Sequence, residues 1–387
     1  MAPHASHPVN ERPQPRRDRV FAAVLVAVMA AGAWQAIAAW RNPASLEDLV
    51  PGSEAWTDGR NTRALEKGMD AHLPARDGLV AFANGLRYRL LRGGGSDVAV
   101  GRAGWLYLTE ELRHDPAAAG AQDVRLDLLT EASRRLDSRG VRLVIALVPD
   151  KARVHPDFLP GGHYPHHHDG RYRGALLELR SRGVEVVDLL GPLRRVANEG
   201  PAFYRTDTHW NQAGAVAAAR AIAASIWRNG GCTPTTRYRT TLASRPEPRA
   251  GDLVRMMGLE HAPALLRPRP DSEAPATTDR IAATAPEADM DAGLGLFDDA
   301  SVPVVLTGTS FSLRGNFHGA LQEALSCEVL NSAQDGGGLL QATGQYLSDD
   351  AYRQSPPAYI IWEVPERFLT LPLGEETGWL QQTGLAE

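Results

Sequence analysis

The chain has 387 residues, 43% of them hydrophobic and 22% charged, and it is long enough for one large domain or two smaller ones. A net charge of -5 and a pI near 6.2 argue against a nucleic-acid-binding protein, which needs clustered positive charge for phosphate contacts. Two cysteines, Cys232 and Cys327, exclude a disulfide scaffold and a four-cysteine zinc site; they either pair in an exported protein or remain two buried thiols.

The N-terminus has the pattern of a membrane anchor. Residues 1–19 are polar and contain four arginines, and residues 20–40 follow without a charge. A run of this length can cross a bilayer as a helix, and the positive-inside rule makes residues 1–19 a cytoplasmic tail. We expect a single-pass inner-membrane protein with a transmembrane signal anchor at 20–40 and the remainder in the periplasm. A cleaved signal peptide ending near Ala36-Ile37-Ala38 is one alternative. A buried soluble helix is the other, but the run is apolar on all faces.

Residues 41–97 are a mixed connecting segment, in which we expect one helix near 79–91. Residues 98–108 indicate a tight hairpin followed by alternating strand residues. Apolar runs of strand length then alternate with helical periodicity. The predicted helices are 124–139, 172–181, 211–227, 316–325 and 339–347, and the predicted strands are 141–148, 184–189, 302–306, 328–330 and 359–363.

This alternation predicts an α/β fold with a mostly parallel sheet covered on both faces by helices. It spans a domain at 98–375, followed by a tail at 376–387. Residues 262–290 interrupt it: they are rich in Pro, Ala, Asp and Glu and lack periodicity, so we expect a surface excursion or a partly disordered loop. In such sheets functional residues lie beyond the carboxyl ends of strands.

Ser310 is the candidate nucleophile. It comes four residues after the strand predicted at 302–306, and Gly308 relieves crowding before it. A serine on a sharp turn from strand to helix presents its hydroxyl to the crevice, where backbone N–H groups can face a developing oxyanion. Ser312 is the rival nucleophile. The alternative interpretation is that these hydroxyl side chains only cap the next helix.

Asp207 and His209 are the candidate acid and base. If their segment is extended, side chains two positions apart point to the same side, so the carboxylate can hold one imidazole nitrogen while the other faces the serine. Asp207 would then stabilise the imidazolium as His209 takes the serine proton. The alternative is that Asp207 caps the following helix and His209 is an ordinary residue at its start.

Other polar residues suggest substrate contacts. Lys151 and His155 follow a strand end on the crevice side, with Lys151 the better candidate, although a solvated loop charge is the simpler reading. Tyr204, just before Asp207 and His209, and Asn316, just after the turn of Ser310, are the further substrate-binding candidates. Consecutive imidazoles cannot converge on one ion without strain, so we predict neither a metal nor a cofactor at the cluster of His163, His166, His167 and His168.

Six short blocks in order resemble the alginate O-acetyltransferase family, SGNH-hydrolase-like periplasmic proteins that acetylate polysaccharide. The resemblance runs from about 98 to 368 and implies a three-layer sandwich, a triad of Ser310, His209 and Asp207, and an acetyl-serine intermediate. It also implies an exopolysaccharide substrate such as alginate and a multi-span membrane acyltransferase that passes the acetyl group. The blocks are Gly104-Trp105-Leu106-Tyr107-Leu108, Val148-Pro149-Asp150-Lys151, Thr206-Asp207-Thr208-His209-Trp210-Asn211, Gly251-Asp252-Leu253, Gly308-Thr309-Ser310-Phe311-Ser312 and Ile361-Trp362-Glu363-Val364-Pro365-Glu366-Arg367.

Two features depart from the family pattern. His155 stands where the family commonly has tyrosine, and the chain stops shortly after Arg367, so we expect glycan contacts to come from the crevice rather than from an added carbohydrate-binding module. Two other functions use the same residues: a polysaccharide O-acetylesterase with the same triad, and a non-catalytic glycan-binding subunit of a secretion complex.

Overall fold

A parallel sheet organises the protein. The computed structural model describes residues 26, 29–38, 40–41, 49, 54–72, 76–116, 118–234, 236–281, 302–374, 376 and 378–385, in two units, Met1–Ala83 and Asn84–Glu387. Its strands are β1 Val98–Val100, β2 Leu106–Leu108, β3 Arg142–Val148, β4 Glu185–Asp188, β5 Arg237–Leu242, β6 Glu247–Arg249, β7 Asp271–Glu273, β8 Ala276–Ile281, β9 Val304–Thr307, β10 Val329–Asn331 and β11 Tyr359–Pro365.

Helices connect these strands. They are α1 Glu54–Thr57, α2 Arg60–His72, α3 Arg76–Leu91, α4 Ala118–Asp137, α5 Lys151–Val154, α6 Asp169–Ser181, α7 Leu190–Glu199, α8 Gln212–Arg228, α9 Asp252–Met256, α10 Phe317–Leu325, α11 Gln341–Ser348, α12 Asp350–Gln354 and α13 Trp379–Gln382. The helices predicted after residue 98 are present with small changes of boundary. In the part of the entry segment that the structure describes, residues 54–72 and 76–91 form three helices rather than the single helix predicted there.

The central sheet has the order β10-β9-β11-β3-β4, and every neighbouring pair is parallel. Successive residues of β3 point to opposite faces, as the strand period requires. Val144 and Ala146 join a core that includes residues of α8 and α10, whereas Leu143 and Ile145 join a second core that includes residues of α4 and α6. The predicted α/β sandwich, with a parallel sheet between two helical layers, is therefore confirmed.

Within the described residues, three antiparallel strand pairs accompany the sheet. β1 and β2 form the predicted hairpin, whose turn places Ala103 at φ 51° and Gly104 at φ 78°. The other two pairs, β5 with β8 and β6 with β7, were not predicted. They correct the expectation of a loop at 262–290, because residues 271–273 and 276–281 are strands; residues 282–290 lie outside the described part of the chain.

The prediction of a C-terminal tail at 376–387 is also corrected. Trp379 and Leu385 are buried in the second core, and the Trp379 ring lies 5.4 Å from that of Trp362 on β11. The structure further links Cys232 to Cys327, the pairing that the sequence left open.

The anchor predicted at 20–40 falls partly outside the described residues. Residues 29–38 are helical, and among the described residues no helix has both the length and the apolar character needed to cross a membrane.

Candidate active site

Ser310 lies on a turn directly after β9. Gly308 has a φ of 141°, and a Cβ on it would lie 2.7 Å from the backbone oxygen of Glu363, so the turn requires glycine for both its conformation and its close packing. Ser310 then opens a single 3₁₀ turn, Ser310–Leu313, which Thr309 caps by accepting a hydrogen bond from the Phe311 N–H. The serine therefore sits at the carboxyl end of a parallel strand, as predicted.

Glu363, on the neighbouring strand β11, stabilises this turn through hydrogen bonds to its carboxylate. Its carboxylate accepts the Thr309 N–H at 2.8 Å, the Thr309 hydroxyl at 2.9 Å and the Ser312 hydroxyl at 3.2 Å. Burial raises the pKa of Glu363, while these hydrogen bonds favour the charged form. Because Ser312 is fully buried and engaged with Glu363, the structure favours Ser310 over Ser312 as the nucleophile.

His209 and Asp207 meet Ser310 as the sequence predicted. The His209 Nε2 atom lies 2.7 Å from the Ser310 Oγ, and its Nδ1 atom lies 2.6 Å from the Asp207 Oδ1. A bridge between Phe203 and Trp210, with the Tyr204 N–H donating to the His209 carbonyl at 3.1 Å, turns the segment back on itself. The three side chains form one hydrogen-bonded line, although 101 positions of sequence separate His209 from Ser310.

The surroundings of Asp207 favour the ionised form of its carboxyl group. Burial opposes its charge, but its hydrogen bonds with His209, supported by the nearby Arg249 guanidinium, hold the pKa of its carboxyl below the usual range. Its Oδ1 accepts the His209 backbone N–H at 3.0 Å, while Oδ2 lies 3.4 Å from the Arg249 guanidinium and 3.3 Å from the Asp252 N–H. Asp207 does not cap α8, the helix that follows it; the N-cap of α8 is Asn211, which accepts from the Gly214 N–H at 3.0 Å.

The structure does not support a substrate-binding role for Lys151. Its side chain is 1% exposed, and its ammonium donates to the backbone carbonyls of Leu106 at 2.6 Å, Arg205 at 3.0 Å and Asp207 at 2.8 Å. These contacts occupy the three donors of an ammonium group. Burial lowers the pKa of Lys151 to about 8. Lys151 therefore stabilises the backbone of the segment that contains Asp207.

His155 and His168 are buried and hydrogen-bonded to the backbone. His155 is buried, its Nε2 accepts the Ala202 N–H at 3.1 Å, and burial lowers its pKa to about 4. The His168 Nε2 lies 3.0 Å from the Arg113 carbonyl. Within the described residues, the one group whose potential metal-ligand atoms converge is Asp207, His209 and Asp252, not the histidines at 163–168.

A polar cleft of about 520 Å³ opens beside the imidazole. Tyr204 and Asn316, the remaining substrate-binding candidates, both line it, together with Asp207 and His209. Part of each candidate is already engaged, since the Tyr204 hydroxyl donates to Glu273 and the Asn316 amide donates to the Thr278 hydroxyl at 2.9 Å. The other charged residues of the wall are Arg249, Asp252, Arg255, Glu260, Arg314 and Asp335.

Three site residues had no assigned role at the sequence level: Arg249, Asp252 and Glu363. Asp252 reaches the site because the chain at Gly251 passes so close to the Thr206 backbone that a Cβ would lie 1.9 Å from its carbonyl oxygen. In the sequence, Asp252 belongs to the block Gly251-Asp252-Leu253 and Glu363 to the block around Trp362. Their place in the blocks that carry the family resemblance was the feature that could have identified them.

The architecture defines the class of protein. A parallel sheet between helical layers, with a serine after one strand and an Asp-x-His segment facing it, is an SGNH-hydrolase-like α/β fold. The family described as SGNH hydrolase-like domain, acetyltransferase AlgX, matches residues 98–366, and the chain belongs to this family.

Individual relatives agree with this assignment. "Probable alginate O-acetylase AlgJ" of Pseudomonas aeruginosa is 33% identical over 330 residues, which cover 83% of this chain and 84% of that protein. The solved O-acetyltransferase domain of Pseudomonas putida AlgJ has a TM-score of 0.64 at 31% identity and covers 74% of this chain and 99% of that domain. The structure of Pseudomonas aeruginosa AlgX, with a TM-score of 0.59 at 20% identity and covering 81% of this chain and 71% of that one, supports the fold alone. The resemblance inferred from the six sequence blocks is thereby confirmed.

Proposed function

We propose that this protein is an O-acetyltransferase that moves an acetyl group through an ester of Ser310 onto hydroxyl groups of alginate or a similar bacterial exopolysaccharide. The observation that carries the proposal is the continuous line from the Asp207 carboxylate through His209 to the Ser310 hydroxyl. The relatives named alginate O-acetylases support the acetyl group and the polymer.

The geometry accounts for both halves of the reaction. With its Nδ1–H donated to Asp207, the His209 imidazole presents the Nε2 lone pair to Ser310. The His209 Nε2 takes the Ser310 proton as the Ser310 oxygen attacks the acetyl carbonyl, and the imidazolium then gives that proton to the departing donor oxygen. A sugar hydroxyl next loses its proton to His209 and attacks the acetyl-serine, which transfers the acetyl group and releases Ser310 as the proton returns to it. Asp207 stabilises the imidazolium in each step.

The cleft supports a carbohydrate substrate. Its walls are mostly polar and include Tyr204 and Asn316, which we assign to substrate binding. Arg255 lines the same cleft and suits a carboxylate of a uronic-acid polymer, beside Arg249 and Arg314, which also face Asp207 and Asp335. Exclusion of water from the acetyl-serine separates transfer from hydrolysis.

We further infer that the protein acts in the periplasm, held to the inner membrane by a helix at 20–40, and receives its acetyl group from a multi-span membrane acyltransferase. The positive-inside pattern and the link between Cys232 and Cys327 support this location, since disulfides persist in oxidising compartments. Fractionation of cells expressing the full chain tests the anchor: release of the whole protein by osmotic shock would contradict it.

Acetyl transfer in vitro tests the activity. The purified protein is mixed with a chromogenic acetyl ester and mannuronate oligosaccharides, and acetylated sugar is measured by mass spectrometry. We expect Ser310→Ala to abolish acetylated sugar, whereas the matched variant Ser312→Ala, which loses one hydrogen bond to Glu363, should reduce it less than about tenfold. Ester hydrolysis without acetylated sugar would indicate an esterase, and full acetylation by Ser310→Ala would exclude serine chemistry.

A further inference from the structure

A second carboxylate faces the imidazole of His209. The Asp252 Oδ2 atom lies 3.5 Å from the His209 Nδ1, behind the 2.6 Å contact from Asp207. The Asp252 side chain is 19% exposed and lines the cleft, so it is neither a solvated surface charge nor a sealed core group. The familiar roles of acid, base and nucleophile leave this residue without a function.

Asp252 is also tied to the backbone of the triad segment. Its Oδ1 accepts the Thr208 N–H at 2.8 Å, and its Oδ2 accepts the Thr208 hydroxyl. Its own N–H points to the Asp207 Oδ2 at 3.3 Å. Thr208 stands between Asp207 and His209, so Asp252 orients the residue that sets the spacing of the acid and the base.

Charges on every side of the imidazole decide what removal of Asp252 would do. Asp207 lies on the same segment, Arg249 approaches from β6 at 3.4 Å from the Asp207 carboxylate, and Lys151 lies beneath the segment on α5. Arg255, Glu260, Arg314 and Asp335 form the cleft wall farther out. With both carboxylates present, the two nearest cations are balanced; without Asp252, the imidazolium would form beside one carboxylate and two cations.

We propose that Asp252 is a positioning residue for the acetyl-transfer reaction, which holds Thr208 in place and adds a second negative charge that stabilises the imidazolium of His209. This inference rests on the proposed function of Ser310, His209 and Asp207. It assigns two separable effects to one carboxylate, alignment through Thr208 and stabilisation of charge through its approach to the His209 Nδ1.

Asp252→Asn separates charge from alignment, because its amide oxygen can still accept the Thr208 N–H. An opposite charge within 4–6 Å shifts a titration by roughly 1–3 pH units, so we expect the acid limb of kcat/KM against pH to move down by about one unit. At neutral pH kcat should fall roughly tenfold, since a weaker base accepts the serine proton less readily. Thr208→Val removes a hydroxyl that contacts both the Asp252 carboxylate and, at 3.1 Å, the His209 Nδ1, and keeps both charges; it should lower kcat and move the limb less than Asp252→Asn does.

The assay is hydrolysis or transfer of a chromogenic acetyl ester by the full chain, measured from pH 5 to pH 9, with Asp350→Asn as the matched loss of one carboxylate. Asp350 is 76% exposed on α12, and this variant should retain the wild-type profile. An Asp252→Asn profile that coincides with that of the wild type would overturn the inference while leaving the proposed function intact. Full activity of Ser310→Ala in the same assay would instead overturn the proposed function.

Discussion

Replacing Asp207 with asparagine tests the proposed triad through the two oxygen atoms of one side chain. Oδ1 accepts two N–H groups from His209, at 2.6 Å from Nδ1 and 3.0 Å from the backbone nitrogen. Oδ2 faces the Arg249 guanidinium at 3.4 Å and the Asp252 N–H at 3.3 Å. Every partner is a donor, whereas asparagine offers one acceptor and one donor group.

Neither orientation of the asparagine amide satisfies this site. An NH₂ group in the Oδ2 position would meet the Arg249 guanidinium and a backbone N–H. In the Oδ1 position it would favour the imidazole tautomer that carries its proton on Nε2, which cannot accept from Ser310. In serine enzymes with this arrangement, the same change lowers kcat by roughly 10⁴-fold, or about 5.5 kcal/mol of transition-state stabilisation. We expect a loss of that order in kcat, with KM nearly unchanged.

The measurement is acetyl transfer to mannuronate oligosaccharides under steady-state conditions, with circular dichroism to verify folding. A variant that is folded and keeps more than about one tenth of the wild-type kcat would refute this reasoning. Acid unfolding gives a second readout. Because the folded-state pKa of Asp207 is lowered, its contribution to stability is present above the unfolded value and is lost as the pH falls through the folded value. Asp207→Asn should therefore weaken the dependence of the free energy of unfolding on pH in the acid range.

Two further changes test the frame around the site. The bond between Cys232 and Cys327 closes a separation of 95 residues, for which the chain-entropy argument gives about 4–5 kcal/mol; the double serine variant should lose stability of this order in chemical denaturation, and two reactive thiols in denatured, unreduced wild type would contradict the link. Gly308→Ala would place a Cβ 2.7 Å from the Glu363 carbonyl at a φ of 141°, so it should cost roughly 1–3 kcal/mol of stability and most of the activity. Gly174→Ala lies on α6, where no atom beyond its chain neighbours and the backbone of its own helix is within 4 Å of the added Cβ. It is the matched control, and equal effects of the two changes would contradict the strain argument.

The sheet could be predicted because each central strand carries its own signal. Val144 and its neighbours on β3 form a continuous apolar run, which is typical of a strand buried on both faces. The pairs β5 with β8 and β6 with β7 gave no such signal. β5 has mostly exposed residues and no continuous apolar face, so neither periodicity nor composition distinguishes it from a loop.

The residues of the candidate site show the same difference between local sequence signals and long-range contacts. Asp207 and His209 lie two positions apart, and Ser310 follows a recognisable strand, so local patterns made all three candidates, and the family resemblance joined them into one predicted triad. The role of Lys151 was wrong because its carbonyl partners lie 45 to 56 residues away, and only the folded chain brings them around the ammonium. Asp252 belongs to the sequence block Gly251-Asp252-Leu253, but its role depends on the close approach of Gly251 to the Thr206 backbone, which the block alone does not reveal.

The buried ammonium of Lys151 also limits how far the protein can be shortened. Because it joins the Leu106 carbonyl on β2 to the Asp207 carbonyl, the hairpin of β1 and β2 is linked to the segment that contains the proposed catalytic acid. A fragment that begins after Leu108 would leave a charged group with two of its three acceptors, next to the carboxylate that must stay aligned. The shortest active piece of this chain therefore has to include β1 and β2, although neither strand contributes a side chain to the reaction.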